Sequence, residues 1–407
     1  MSLYIAARRT RMGIKLSAIL LILIITVKLT WSVSQFAINL LFPPDVPPPA
    51  IAYGKVLALD IPSLPLSEGS SPNYRLDTTT SSLPNIPDRL PVYKLEDSPP
   101  GLTLEKSAVD FASILGFTSQ RIEVSDTDWQ WIESAKSQKL NLNILSRNFE
   151  LTTDLDKLAP TTSFGSSPTL QEAEGRAKSF LEQNDLFNRE ALKTAEVTAR
   201  YVQVSGNSLK VVENQPEAQA VVVNISQTIP KDNADYPKIK LGSDFQDNFS
   251  VVTNSPNRGE ITMVVANSSN PFYNLSQIRF ARAKLELELK STYPIIPITT
   301  AWNDLKEGKA KITQLRLIND NPLGSYTPLG LGNVDIRNIT LGYYSTLQSG
   351  QNHLTPVYIF EGEASIVGSV RETFKARFTA IVPALDPRCT TEIRTEVGKP
   401  CDFVPNN

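Results

Sequence analysis

Little in these 407 residues can support the common routes of catalysis. There is one histidine, His353, and two cysteines, Cys389 and Cys401. A Ser–His–Asp or Cys–His arrangement therefore has a single base to draw on, and neither thiol lies at a helix opening or in another activating context. Two thiols without a nearby histidine or third thiol do not make a zinc site. Net charge is small as well, 40 Lys and Arg against 42 Asp and Glu, so no strong field points to nucleic acid. Phosphate-cradling glycine loops are missing: Gly324, Gly330 and Gly332 fall in a Pro-containing loop with no following helix. No cofactor and no metal is expected.

What is present begins with an apolar run, Leu16–Phe42, 27 residues long with one charge, Lys28. As a helix rising about 1.5 Å per residue it reaches roughly 40 Å, enough to cross a hydrocarbon core of about 30 Å. Each Leu, Ile, Val or Phe contributes about 0.3–0.6 kcal/mol, and together they outweigh a central lysine costing about 2.5–3.5 kcal/mol. Lys28 reads as a snorkelling side chain; a carboxylate partner on another helix is the alternative. Arg8, Arg9, Arg11 and Lys15 precede the run, while the first charges after it are Asp45 and Lys55. The amino terminus is therefore expected in the cytoplasm and the bulk outside it, at the cell membrane. Ala50-Ile51-Ala52 has a cleavage-site form but lies far past the run, which favours a permanent signal anchor over a cleaved leader. The expected partners are the lipid bilayer, through residues 16–42, and an envelope protein or polymer.

The remaining chain divides by texture. Residues 1–15 form a basic tail, 16–42 the anchor, and 43–100 a linker holding 13 of the 29 prolines. In 101–158, Leu104, Ala108, Phe111, Ala112 and Leu115 share one helical face between Thr103 and Gly116. Strand-like runs follow at Gln120–Ile132 and Lys139–Leu145. In 168–270, Thr169 with Glu172 forms a capping box, and strand signals fall at Glu196–Val204, Ser208–Val212, Ala218–Ile229 and Gly259–Ala266. In 290–385 a short helix around Thr300–Leu305 stops at Gly308. Strands are then expected at Lys309–Leu317, Val334–Tyr344, His353–Phe360 and Arg371–Val382. Residues 386–407 form a tail. One helix followed by antiparallel strands, three times over, predicts an α+β fold: a single N-terminal transmembrane helix followed by helix-plus-antiparallel-sheet units.

The third unit carries Ala301-Trp302, Leu305 and Gly308, then Leu341-Gly342-Tyr343-Tyr344, then Leu354-x-Pro356-Val357-Tyr358-x-Phe360-x-Gly362. These residues resemble the carboxy-terminal part of the YycH/YycI type of membrane-anchored regulators, and are similar to PepSY-like helix-plus-sheet modules. The resemblance covers about the last 110 residues plus the topology. It implies action by contact with a sensor kinase or a peptidase, with no catalytic residues. The Pro-rich spacer and the terminal cysteine pair depart from that pattern.

Individual residues add candidates. In an oxidising compartment Cys389 and Cys401 are expected to close a small loop, with free thiols as the alternative. Trp129 and Trp131, two apart on a strand, suit either a binding platform or a core. Of Tyr343 and Tyr344 one should point inward and the other, Tyr344, outward to a binding surface. Asp126 with Asp128, and Glu361 with Glu363, are carboxylate pairs of the kind a glycosidase uses, against the plainer reading of solvated strand ends. Five Asn-x-Ser/Thr triplets occur, at Asn224, Asn248, Asn267, Asn274 and Asn338. The expected function is a non-enzymatic binding or regulatory protein. A membrane-anchored hydrolase of cell-wall glycan and a structural envelope component are the alternatives.

Overall fold

Strand is the commonest regular structure among the described residues. The computed structural model describes residues 49–95, 103–154, 166–187, 189–206, 208–230, 248–254, 259–269, 273–282, 285–318, 320–346, 351–367 and 374–402, with positions 26, 28 and 30. All the described residues except positions 26, 28 and 30 belong to one unit, within 49–407. In chain order the first strands are β1 (Val56–Leu57), β2 (Asn73–Leu76) and β3 (Arg89–Leu95). Helix α1 (Leu104–Ile114) leads into β4 (Ile122–Glu123), β5 (Asp128–Glu133), β6 (Gln138–Asn143) and β7 (Phe149–Thr153). Helices α2 (Leu170–Gln183) and α3 (Arg189–Thr194) precede β8 (Glu196–Ser205), β9 (Ser208–Val211), β10 (Ala220–Ser226) and β11 (Thr228–Pro230). Next come β12 (Asn248–Val252), β13 (Ile261–Ala266), β14 (Leu275–Phe280), β15 (Leu285–Pro294) and α4 (Ile298–Lys306). The last are β16 (Lys311–Leu317), β17 (Leu331–Tyr344), β18 (His353–Ile366), β19 (Phe374–Pro383) and β20 (Thr390–Thr391).

The first sheet is antiparallel throughout, in the order β4-β5-β6-β7-β14-β13-β10-β8-β9. Strands β5, β6, β7 and β14 alternate, as β6 does with Leu140 and Leu142 buried and Lys139 exposed, the period-2 signature of a one-sided core. Strands β10 and β13, by contrast, are buried on both faces, with Val202, Ala220, Val222, Val264 and Ala266 clustered on the second. The buried face is covered by α1 through Ala108 and Ala112, and by α2 through Ala173, Ala177 and Leu181. Small residues at the helix contact bring backbone close to sheet, and the volume is filled by Trp129, Trp131, Phe149 and Phe280. Burying each such aromatic contributes about 1.5–3 kcal/mol. Helix α2 begins at its capping box: the Glu172 amide donates to Thr169 Oγ1 at 3.2 Å, and the Thr169 amide donates to Glu172 Oε2 at 2.9 Å.

The second sheet runs β11-β12-β17-β18-β19-β16, with β2 alongside β17 and β3 joining β15 to the start of β18. Its main core holds Tyr93, Phe249 and Tyr343, whose rings meet edge to face at 5.4 and 5.9 Å. The Tyr343 hydroxyl donates to the Pro91 carbonyl at 3.0 Å, which satisfies a polar group that would otherwise be buried alone. Helix α4 covers this core with Ala301 and Leu305 and ends before Gly308, whose φ of +75° suits a residue without Cβ. Near the chain's end, β20 pairs in parallel with β1.

Two expectations are corrected. The chain is mostly β rather than an α+β array of PepSY-like units: the strands read as belonging to separate first and second units join one nine-stranded sheet. The join is β14, a strand that the periodicity of its own stretch, LSQIRF, signals weakly because it is short and one of its three buried positions is Ser276. Likewise, no helix among the described residues is long and apolar enough to cross a membrane. The apolar run at 16–42 and the basic tail at 1–15 lie outside the described residues, except for positions 26, 28 and 30, which are helical. Much of the stretch expected as linker is built into the second sheet's body. Leu90, Val92 and Tyr93 are fully buried, and the amides of Leu64, Ser67, Ser71 and Asp77 donate to carbonyls of 312–336. Proline fixes extended backbone, and here that extension follows a core instead of leaving it.

Candidate functional site

The chain passes from the first sheet to the second within two residues, between the end of β10 at Ser226 and the start of β11 at Thr228. Around that crossing a cavity of about 370 Å³ opens between strands of both sheets. Its walls come from alternating positions. Strand β8 presents Glu196 and Thr198, β10 presents Asn224 and Ser226, β12 presents Asn248 and Ser250, and β17 presents Asn338 and Thr340. Spacing of two on a strand puts both side chains on one face. Register aligns them: Glu196 lies opposite Ser226, and Thr198 opposite Asn224. Across the second sheet, Glu361 of β18 faces Asn338 and Thr379.

These groups are knitted together and still leave capacity for a ligand. Ser250 Oγ donates to Glu196 Oε2 at 2.9 Å, a bond from the second sheet to the first. Asn338 Nδ2 donates to Glu361 Oε2 at 3.0 Å. Thr262 Oγ1 donates to Asn224 Oδ1 at 2.9 Å. A carboxylate accepts through two oxygens and about four lone-pair positions, so each glutamate keeps room for further donors. Among the described residues no Lys, Arg, His or aromatic side chain lines the cavity. Gly259 belongs to its wall because the Ile225 backbone passes too near for anything larger: a Cβ there would lie 2.6 Å from the Ile225 carbonyl oxygen.

Directly after Gly259, Glu260 is 1% exposed. The Gln227 amide donates to Glu260 Oε2 at 2.9 Å and Gln227 Nε2 donates to Oε1 at 3.1 Å. Burial pushes this carboxyl up to about 7, only partly offset by the Gln227 bonds and the positive charge of Arg282. Burial also lowers the Arg282 guanidinium, which lies 4.0 Å over the Phe187 ring with its Nε unbonded.

The residues singled out from sequence are dispersed. Trp129 and Trp131 are 4% and 2% exposed and pack edge to face at 6.1 Å within the first core, so neither ring is offered as a platform. Tyr343 and Tyr344 do point to opposite faces, but both faces are covered. Tyr344 sits with Ile61, Val357, Ile359 and Ile381, and burial pushes its phenol up to about 12. Asp126 is exposed. At Asp128 burial raises the carboxyl, but hydrogen bonds from Asn143, Ser125 and Thr127 prevail and hold it below the usual range. That is a turn cap, not a poised acid. Glu363 pairs with Lys375 and Arg337, away from Glu361's cavity. His353 opens β18 with its ring 5.0 Å from Tyr53, and Cys389 and Cys401 are joined in a disulfide. Among the described residues no group of three His, Cys, Asp or Glu is placed to hold a metal ion.

Three of the five Asn-x-Ser/Thr triplets, those beginning at Asn224, Asn248 and Asn338, supply both of their polar residues to the cavity. The signal was thus present as an amide and a hydroxyl at strand spacing. Glu196 and Gly259 carried none.

No family model and no curated protein matches the chain. Among solved structures it is similar to an uncharacterized protein from Eubacterium rectale ATCC 33656, at 11% identity and a TM-score of 0.36, over 79% of this chain and 91% of that one.

Proposed function

We propose that the chain is a binding protein, not an enzyme, that takes a neutral or amine-bearing glycan segment of an envelope polymer in the cavity between its sheets. The observation that carries this reading is the cavity's chemistry. Carboxamides, hydroxyls and two carboxylates converge from both sheets, and among the described residues no positive charge and no stacking ring lines the cavity. Amides and hydroxyls both donate and accept, which matches sugar hydroxyls, while Glu196 and Glu361 favour ammonium groups over carboxylates. The Cys389–Cys401 disulfide supports an oxidising, extracytoplasmic setting.

Calorimetric titration with a glucosamine oligomer, its N-acetylated form and an oligouronate tests the reading. Binding should follow that order, with the oligouronate inert. Glu196→Gln with Glu361→Gln should erase the preference for the amine form, and Asn338→Ala should weaken both. Failure of all three probes to bind, or unaltered binding in these variants, would overturn the proposal.

A second reading has one observation in its favour: Glu196 and Glu361 come from different sheets to the same cavity, as the acid and base of a glycosidase must. Both are exposed, whereas a general acid works best when burial raises its pKa. Release of reducing ends from the same oligomers, abolished by either single Gln variant, would replace binding by hydrolysis.

A further inference from the structure

A second cavity, about 230 Å³, lies on the helical side of the first sheet, away from the inter-sheet cavity. Its floor is apolar and buried: Ala108 of α1, Leu142 and Ile144 from the end of β6, and Leu186 after α2. Phe111 forms one side, held edge to face against Phe149 at 5.0 Å. At its open edge Ile114 is left 66% exposed, an unusual place for a large apolar side chain beside a cavity it could help fill.

The same edge carries three polar side chains with unused capacity. Asp110 and Arg147 line the cavity and are both exposed, and among the described residues neither side chain makes an ion pair or hydrogen bond. Asn184 donates through Nδ2 to the Phe180 carbonyl at 2.8 Å, which leaves Oδ1 as an acceptor. Arg147 also holds φ at +58°, a left-handed conformation that favours Gly or Asn. Its amide closes the β6–β7 turn onto the Asn143 carbonyl at 2.9 Å, so the turn sets the direction in which its side chain leaves the backbone.

One anionic group, one cationic group and a neutral acceptor around an apolar floor are complementary to a zwitterion with an apolar body. Cavities for drug-sized ligands run about 300–1,000 Å³, so this one admits a smaller molecule. We infer that the cavity between α1, the β6–β7 turn and the end of α2 binds a free apolar α-amino acid. The ligand's carboxylate pairs with Arg147, its ammonium with Asp110 and Asn184 Oδ1, and its side chain lies on Ala108, Leu142 and Ile144. Neither an anionic lipid nor a simple amine satisfies both charges. The inference is independent of the glycan reading.

The test is calorimetric titration of the full chain with L-leucine, 4-methylpentanoate and 3-methylbutylamine, the last two lacking the amine and the carboxylate respectively. L-leucine should bind with a Kd on the order of 1 mM, and each analogue at least about tenfold more weakly. Arg147→Met and Asp110→Asn alter exposed side chains and should keep the fold, checked by near-UV circular dichroism. Each should weaken L-leucine about tenfold or more, and Arg147→Met should leave 3-methylbutylamine unaffected. The inference is overturned if L-leucine shows no saturable heat, if 4-methylpentanoate binds as well as L-leucine, or if both variants bind it like the unaltered chain. Glycan titration of the same samples keeps a failure here separate from a failure at the inter-sheet cavity.

Discussion

Gln227 holds Glu260 at both of its oxygens, through backbone amide and side chain, at 2.9 and 3.1 Å. The pair lies where the chain changes sheets, so its protonation bears on how firmly the crossing is held. Glu260's ordinary value is 4.5 and the folded value about 7, so between those limits the folded protein keeps a proton that the unfolded chain has lost. Stability from this group is therefore present in full below pH 4.5, falls as pH rises to about 7, and is level above it. At about 1.4 kcal/mol per unit the loss is on the order of 3 kcal/mol. Thermal melts across pH 4.5–8 should show this slope in the unaltered chain and not in Glu260→Gln. Parallel profiles for the two would refute the assignment.

At Gly259 there is no flexible neighbour to yield, since the atoms a Cβ would meet are Ile225 backbone. Gly259→Ala should destabilise the protein by about 1–3 kcal/mol, the usual cost of overpacking. It should also weaken glycan binding by displacing β10 against β13. Chemical denaturation and titration on one preparation measure both; a neutral melt would show that the strands separate without cost.

Reduction of the Cys389–Cys401 bond opens a loop with a sequence separation of 12. The chain-entropy estimate for such a loop is about 3 kcal/mol. Hydrogen exchange should then accelerate at Val56–Leu57 and Thr390–Thr391, where β1 and β20 pair, before it does in β17–β19. Uniform acceleration would mean that the bond stabilises the whole body and not this corner.

Trp131 offers the sharpest contrast between core and surface. Trp131→Ala should cost about 3–5 kcal/mol, as aromatic deletions in cores do, while leaving glycan affinity of the folded fraction unaltered. Intact stability with lost binding would return the tryptophans to the recognition surface.

How much of this was legible in the sequence depends on where each signal lies. Helix α2 could be read locally, because Thr169, Glu172 and the Ala173–Ala177–Leu181 stripe all belong to one short segment. Strand β19 could be read too, from the apolar–polar alternation over Phe374–Ala380. Which sheet a strand joins could not, because β14 is placed by pairing with β7 and β13, more than a hundred residues away in the first case. Proline content misled at β3, where Pro91 lies opposite Thr292 inside a buried strand. The cavity was half visible: its amide–hydroxyl pairs recur as triplets, but their convergence is a property of two sheets meeting.

The pairing of early strands with late ones also sets an order of assembly. β3 finds its partners at Leu285–Pro294 and His353–Leu354, β2 at Asn333–Ile336, and β1 at Thr390–Thr391. A ribosome delivers the amino-terminal end first, and contacts so distant in sequence form slowly. The strands between Val56 and Leu95 therefore cannot make their native pairings until the final third of the chain has been made. Pro62, Pro65, Pro72, Pro84, Pro87 and Pro91 in this stretch suit that wait, since proline denies a stray strand the amide it would need to pair. The prolines first read as a spacer thus have a consequence in time: each is a position at which the nascent chain offers no amide to a wrong edge.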